Sequence, residues 1–79
     1  MLELYQYENC PFCARVRQRM TELELDYIIR NVPRGSKKRA FLRELGGKEQ
    51  VPFLVDQKNG VRLYESEDII RYLELHYSS

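Results

Sequence analysis

Leu2, Leu4 and Gln6 alternate with Glu3, Tyr5 and Tyr7, the period-two pattern of a strand with two usable faces. From Cys10 the period changes. Cys13, Val16, Met20 and Leu23 recur at helical spacing and form one apolar stripe. Pro11 suits the first helical position, where its missing N–H would have had no partner. Leu25 to Arg30, β-branched and aromatic, reads as a second strand, and Asn31 to Ser36, with Pro33 and Gly35, as a loop. Ser36 is placed to cap a second helix running to about Leu45. Ala40, Phe41 and Leu45 are expected to face inward, and Gly46-Gly47 to stop the helix.

The second half is shorter in period. Pro52-Phe53-Leu54-Val55 is a strand, Asp56 to Gly60 a turn containing Asn59-Gly60, and Val61-Arg62-Leu63 the returning hairpin strand. Ser66 is expected to cap a last helix, with Glu67 and Asp68 in its first turn and Ile69, Ile70, Leu73 and Tyr77 inward. The order is β-α-β-α-β-β-α. A strand–helix–strand start requires a right-handed crossover with parallel pairing, and the hairpin adds antiparallel strands. The prediction is an α/β fold, a four-stranded mixed sheet flanked by three helices, with residues 1–79 making one domain.

Composition narrows the function. Thirteen basic residues against twelve acidic ones give a net charge of +1, without the basic excess of a nucleic-acid or membrane-surface binder. The six tyrosines come with no RNA-binding signature. No signal peptide is visible and no stretch approaches the ~20 apolar residues of a membrane span, so a cytoplasmic location is expected, where thiols are kept mostly reduced. Arg15 and Arg19 share a helix face, with Glu22 three residues beyond Arg19. Lys37-Lys38-Arg39 sets positive charge at a helix start, against the dipole. It reads as a surface cluster, or as a place for a ligand carboxylate or an acidic partner.

The chemistry centres on Cys10-Pro11-Phe12-Cys13, which holds both cysteines of the chain. A disulfide between them would close a four-residue loop, worth only about 2 kcal/mol as a staple. The pair is placed for exchange between neighbouring thiols. Cys10 stands at a helix N-terminus, where unpaired N–H groups and the dipole favour a thiolate, the nucleophilic form. Cys13 begins the inward stripe and is expected to be more buried, resolving the mixed disulfide that Cys10 forms. Phe12 offers a substrate an apolar contact beside the thiol. Zinc would need two further ligands, and His76 stands alone, so no metal site is expected.

With this strand–CPFC–helix start, Val51-Pro52 before the third strand and Glu65-Ser66 at the last helix, the chain resembles the glutaredoxins and the related N-terminal domain of glutathione transferases. The resemblance implies a thioredoxin-like fold and a cis Pro52 facing the active cysteine. It implies that the Val51 backbone pairs with the cysteinyl unit of glutathione. Ser66 and its helix N-terminus would bind the γ-glutamyl carboxylate, and Glu65 or Asp68 its ammonium. Pro11 and Phe12 would flank the bound tripeptide. Tyr7 stands where many glutaredoxins carry a lysine for the glycine carboxylate, and Leu63-Tyr64-Glu65-Ser66-Glu67-Asp68 is closer to a transferase domain. The implied activity is glutathione-dependent thiol–disulfide oxidoreduction through Cys10 and Cys13. Glutathione serves as co-substrate, no cofactor is bound, and glutathionylated or disulfide-containing proteins are the partners of a monomer. The alternatives are a glutathione-binding or iron–sulfur carrier module with little turnover, or a thioredoxin-like electron donor served by a reductase. Proline after Cys10 weighs against the cluster carrier, which often has glycine there.

Overall fold

The computed structural model describes residues 1–78. Strands β1 (Leu2–Gln6), β2 (Tyr27–Asn31), β3 (Phe53–Asp56) and β4 (Val61–Tyr64) form one mixed sheet. Helix α1 (Pro11–Glu22) joins β1 to β2, α2 (Lys38–Gly46) joins β2 to β3, and α3 (Ser66–Tyr77) follows β4. The spatial order is β2-β1-β3-β4, with β1 parallel to β2 and antiparallel to β3, and β4 antiparallel to β3. This is the four-stranded mixed sheet expected from the order of periods, and the thioredoxin-like fold that the resemblance implies.

Because β1 is central, it is buried along its whole length, and its alternation separates two cores. Leu2 and Leu4 join Leu54, the α1 stripe of Val16 and Met20, and Ile69 and Leu73 of α3. On the other face Tyr5, Phe53 and Val55 pack with Val32 and Leu42. Glu3 points to that second face and is buried there. Its carboxylate accepts from Arg30 at 3.0 Å and from the Gln57 amide, so the buried charge is paired. At the end of the sheet away from α1's N-terminus, fully buried Asp56 accepts hydrogen bonds from Tyr72 (2.6 Å), Tyr77 (2.7 Å) and Asn59 (2.8 Å). These tie α3 to the β3–β4 hairpin.

Local differences from the sequence expectation have identifiable causes. β2 begins at Tyr27, not Leu25, because the Leu25 N–H still bonds back to Met20 and Glu24 turns the chain at φ 55°. In α2 the inward residue is Leu42, while Ala40 is exposed and Phe41 is 53% exposed. Arg39 sets that rotation. Its guanidinium donates to the carbonyls of Val32 (2.8 Å) and Glu49 (2.7 Å), so the face carrying residues 39, 42 and 45 turns toward the sheet. Ser36 accepts from the Lys38 N–H at 3.1 Å, one residue ahead of the N-cap position, and Gly47 ends the helix at φ 94°. Ser66 is the first residue of α3 instead of its cap, which is Glu65. Beyond the Arg19–Glu22 pair, Arg19 also reaches Glu74 of α3 at 2.8 Å.

Candidate active site

Strand register brings the expected residues together. Tyr5, Phe53 and Tyr64 are aligned across β1, β3 and β4. The segments leaving β1, entering β3 and leaving β4 therefore emerge at one end of the sheet. They carry Cys10, Val51-Pro52 and Glu65-Ser66 respectively. Since β2 runs parallel to β1, it delivers Arg34 and the start of α2 to the same end.

Cys10 is the N-cap of α1, with extended backbone (φ −82°, ψ 113°) and Pro11 beginning the helix. Its Sγ accepts from the Cys13 N–H at 3.2 Å, satisfying one of the free donors of the first turn. Cys10 is only 4% exposed, yet it lines a cavity of about 460 Å³ walled by Tyr7, Pro11, Phe12 and Val51. Arg34 and Arg39 form its basic rim, and the Arg39 guanidinium lies 5.8 Å from the Tyr7 ring centre. Cys13, one turn along, is fully buried, as its place in the stripe predicts. Burial first, then its hydrogen bond with Cys10, pushes the Cys13 thiol up to about 12. At neutral pH Cys13 is a protonated, enclosed thiol.

A second cavity of about 570 Å³ continues from the first, sharing Phe12, Gln50 and Val51 and adding Pro52, Glu65 and Ser66. The Val51–Pro52 bond is cis, as the resemblance implies. Ser66 is buried at the first turn of α3 and lines this second cavity, where the free N–H groups of a helix N-terminus favour an anion. Glu65 precedes it at φ 72° and ψ 119°, a conformation that costs a non-glycine residue about 1 kcal/mol or more. Its Oε2 accepts from the Gln50 Nε2 at 2.8 Å. Arg15 and Glu67 pair across the rim, linking the starts of α1 and α3.

Tyr7, Pro11, Phe12, Val51, Pro52, Glu65 and Ser66 thus all line one or both lobes, and Cys13 lies beneath them. Asp68 is not brought in; it pairs with Arg71 at 3.3 Å. Three residues were not singled out from the sequence. Arg34 lies in a turn marked only by Pro33 and Gly35, and Gln50 had no signal beyond preceding Val51. Arg17 sits behind the thiol, donating to the Gln6 side chain and to the carbonyls of Tyr7 (3.4 Å) and Glu8 (3.2 Å). It clamps the loop that delivers Cys10.

Comparison with solved structures gives close fold matches. Glutathione transferase E6 from Drosophila melanogaster superposes with a TM-score of 0.89 at 27% identity, covering 100% of this chain and 36% of that one. A diazinon-metabolizing glutathione S-transferase from the silkworm Bombyx mori gives 0.86 at 28% identity, covering 98% and 38%. A glutathione transferase homologue from Drosophila mojavensis, with bound glutathione, gives 0.89 at 22% identity, covering 99% and 36%, a likeness of fold. The chain therefore spans little more than a third of the length of these proteins. No curated protein matches it. Residues 4–79 match the family model of the glutathione S-transferase N-terminal domain, and with that match over nearly all its length the chain belongs to this family.

Proposed function

We propose that the chain binds glutathione along the two-lobed groove and uses Cys10 for thiol–disulfide exchange with it. The observation that carries this reading is the Cys10 sulfur opening into a cavity that continues, past Val51, to Glu65 and Ser66. The Ser66 helix N-terminus suits the γ-glutamyl carboxylate, and the Glu65 carboxylate its ammonium. Arg34 and Arg39 suit the glycyl carboxylate, replacing the lysine that Tyr7 displaces. A homologue of the same fold has bound glutathione, which supports glutathione as the ligand.

The steps follow from the two thiols. Cys10 thiolate attacks the glutathione sulfur of a mixed disulfide. A Cys10–glutathione disulfide forms, and the substrate sulfur leaves as thiolate and takes a proton from solvent. A second glutathione thiolate then attacks the glutathione sulfur of that disulfide, releasing Cys10 thiolate and oxidised glutathione. The Cys13 N–H at Sγ strengthens as negative charge returns to the sulfur. Cys13, held protonated by burial, is a slow resolving thiol at neutral pH. Exchange is expected to run chiefly through Cys10 and glutathione, with a Cys10–Cys13 disulfide as the slower route for protein substrates.

Family membership favours a second reading, glutathione conjugation, with Cys10 facing the glutathione thiol. Reduction of a small glutathione mixed disulfide, coupled to glutathione reductase, separates the two. Activity is expected in wild type, lost at least a hundredfold in Cys10→Ser and kept within about threefold in Cys13→Ser. A wild type inactive here but active in conjugating an aryl chloride would replace the proposal with the second reading.

A further inference from the structure

On the opposite side of the sheet from α1 and α3, α2 packs on Tyr5, Phe53 and Val55 through Leu42. Below it lies a separate cavity of about 540 Å³, within the size range of small-molecule sites. It shares no lining residue with either lobe of the Cys10 groove. Its apolar surface comes from Val55 of β3 and from Phe41 and Leu45 of α2, and Phe41 is left 53% exposed above it.

Three features of its polar groups point to a ligand. Tyr5 is 7% exposed, and its hydroxyl has no hydrogen-bond partner among the described residues, whereas the hydroxyls of Tyr64, Tyr72 and Tyr77 are all bonded. No enclosed side-chain oxygen or nitrogen among those residues lacks a partner, so the Tyr5 hydroxyl opens into the cavity. The Glu3 carboxylate is already taken by Arg30 and Gln57. Lys38 and Arg62 form no ion pair among the described residues, donating instead to the carbonyls of Asn31 and Leu45, each at 3.0 Å. Two positive charges and one free hydroxyl therefore surround an apolar floor.

We propose that this cavity binds a small aromatic carboxylate. Its carboxylate accepts from the Tyr5 hydroxyl and from Arg62 or Lys38, and its ring lies against Val55, Phe41 and Leu45. Arg30 balances the Glu3 carboxylate, so the charge left at the cavity is that of Lys38 and Arg62, which favours an anion. A cation is repelled by the two unbalanced side chains. The site is independent of the glutathione reading.

The test titrates 2-naphthoate into the ¹⁵N-labelled chain and follows amide shifts by NMR. Saturable shifts are expected at Tyr5, Val55 and Arg62, unaffected by excess S-methylglutathione. Tyr5→Phe and Arg62→Gln should each weaken binding at least about fivefold while both variants keep their thermal midpoint within a few degrees and their turnover of mixed disulfide. Uncharged 2-naphthalenemethanol should bind more weakly than the carboxylate. No saturable response, shifts confined to the Cys10 groove, displacement by S-methylglutathione, or unchanged affinity in both folded variants would each overturn the proposal.

Discussion

Glu65 holds two opposed duties. Its carboxylate lines the lobe proposed to take the γ-glutamyl end of glutathione, while its backbone occupies a positive-φ conformation that glycine adopts at no steric cost. Binding and stability should therefore separate by substitution. Glu65→Gly is expected to raise stability by up to about 1 kcal/mol and weaken glutathione binding tenfold or more. Glu65→Gln is expected to weaken binding alone. Urea unfolding and calorimetric titration with glutathione read the two effects, and a Glu65→Gly chain that bound normally would remove the carboxylate from the site. At this scale the sequence was legible where chemistry is local. Cys10 and Cys13 lie on one turn, so their spacing announced an outer and an inner thiol. Arg34 and Gln50 were not legible, because only strand register decides which loop residues meet the thiol. Arg17 was hidden differently: its charge suggests solvent, but its acceptors are loop carbonyls.

Among the elements, α2 shows how one anchoring side chain overrides a pattern. Ala40, Phe41 and Leu45 form a plausible apolar face, but the two carbonyl contacts of Arg39 turn Leu42 inward and leave Phe41 to border the second cavity. An arginine read as surface charge was in fact the rotation-setting contact, which no hydrophobic period encodes. The same helix depends on a glycine at its end. A Cβ at Gly46 would stand 2.7 Å from the Tyr64 ring carbons, far inside contact distance. The Tyr64 hydroxyl cannot easily give way, since it donates to the Lys48 carbonyl at 2.8 Å and accepts from the Lys48 N–H at 3.1 Å. Gly46→Ala should therefore destabilise the chain by about 1–3 kcal/mol, despite the better helix propensity of alanine. An unchanged urea midpoint would show that Tyr64 moves aside at no cost.

For the molecule as a whole, the element order was readable because each change of period marks a change of element, and β1 pairing on both sides follows from its burial. What the order did not contain was how α3 is fastened. Burial alone would push the Asp56 carboxyl up, but the hydrogen bonds from Tyr72, Tyr77 and Asn59 outweigh it and hold the group at about 2. A lowered value in the folded state means stability that is present above the ordinary carboxylate value of 3.8 and lost as pH falls toward about 2. The contribution is on the order of 2 kcal/mol. Asp56→Asn should be less stable than wild type at pH 7, with the gap closing between about pH 4 and pH 2; a gap independent of pH would assign the loss to packing. The packing of the molecule is also uneven. The thiol rides on α1, which packs against both the sheet and its neighbour α3, whereas Arg34 and Arg39 belong to a loop and helix fully buried only through Val32 and Leu42. Under the proposed exchange chemistry, fraying of that lighter side would spare the nucleophile and erase its selectivity, leaving a chain that still reacts but no longer tells one thiol from another.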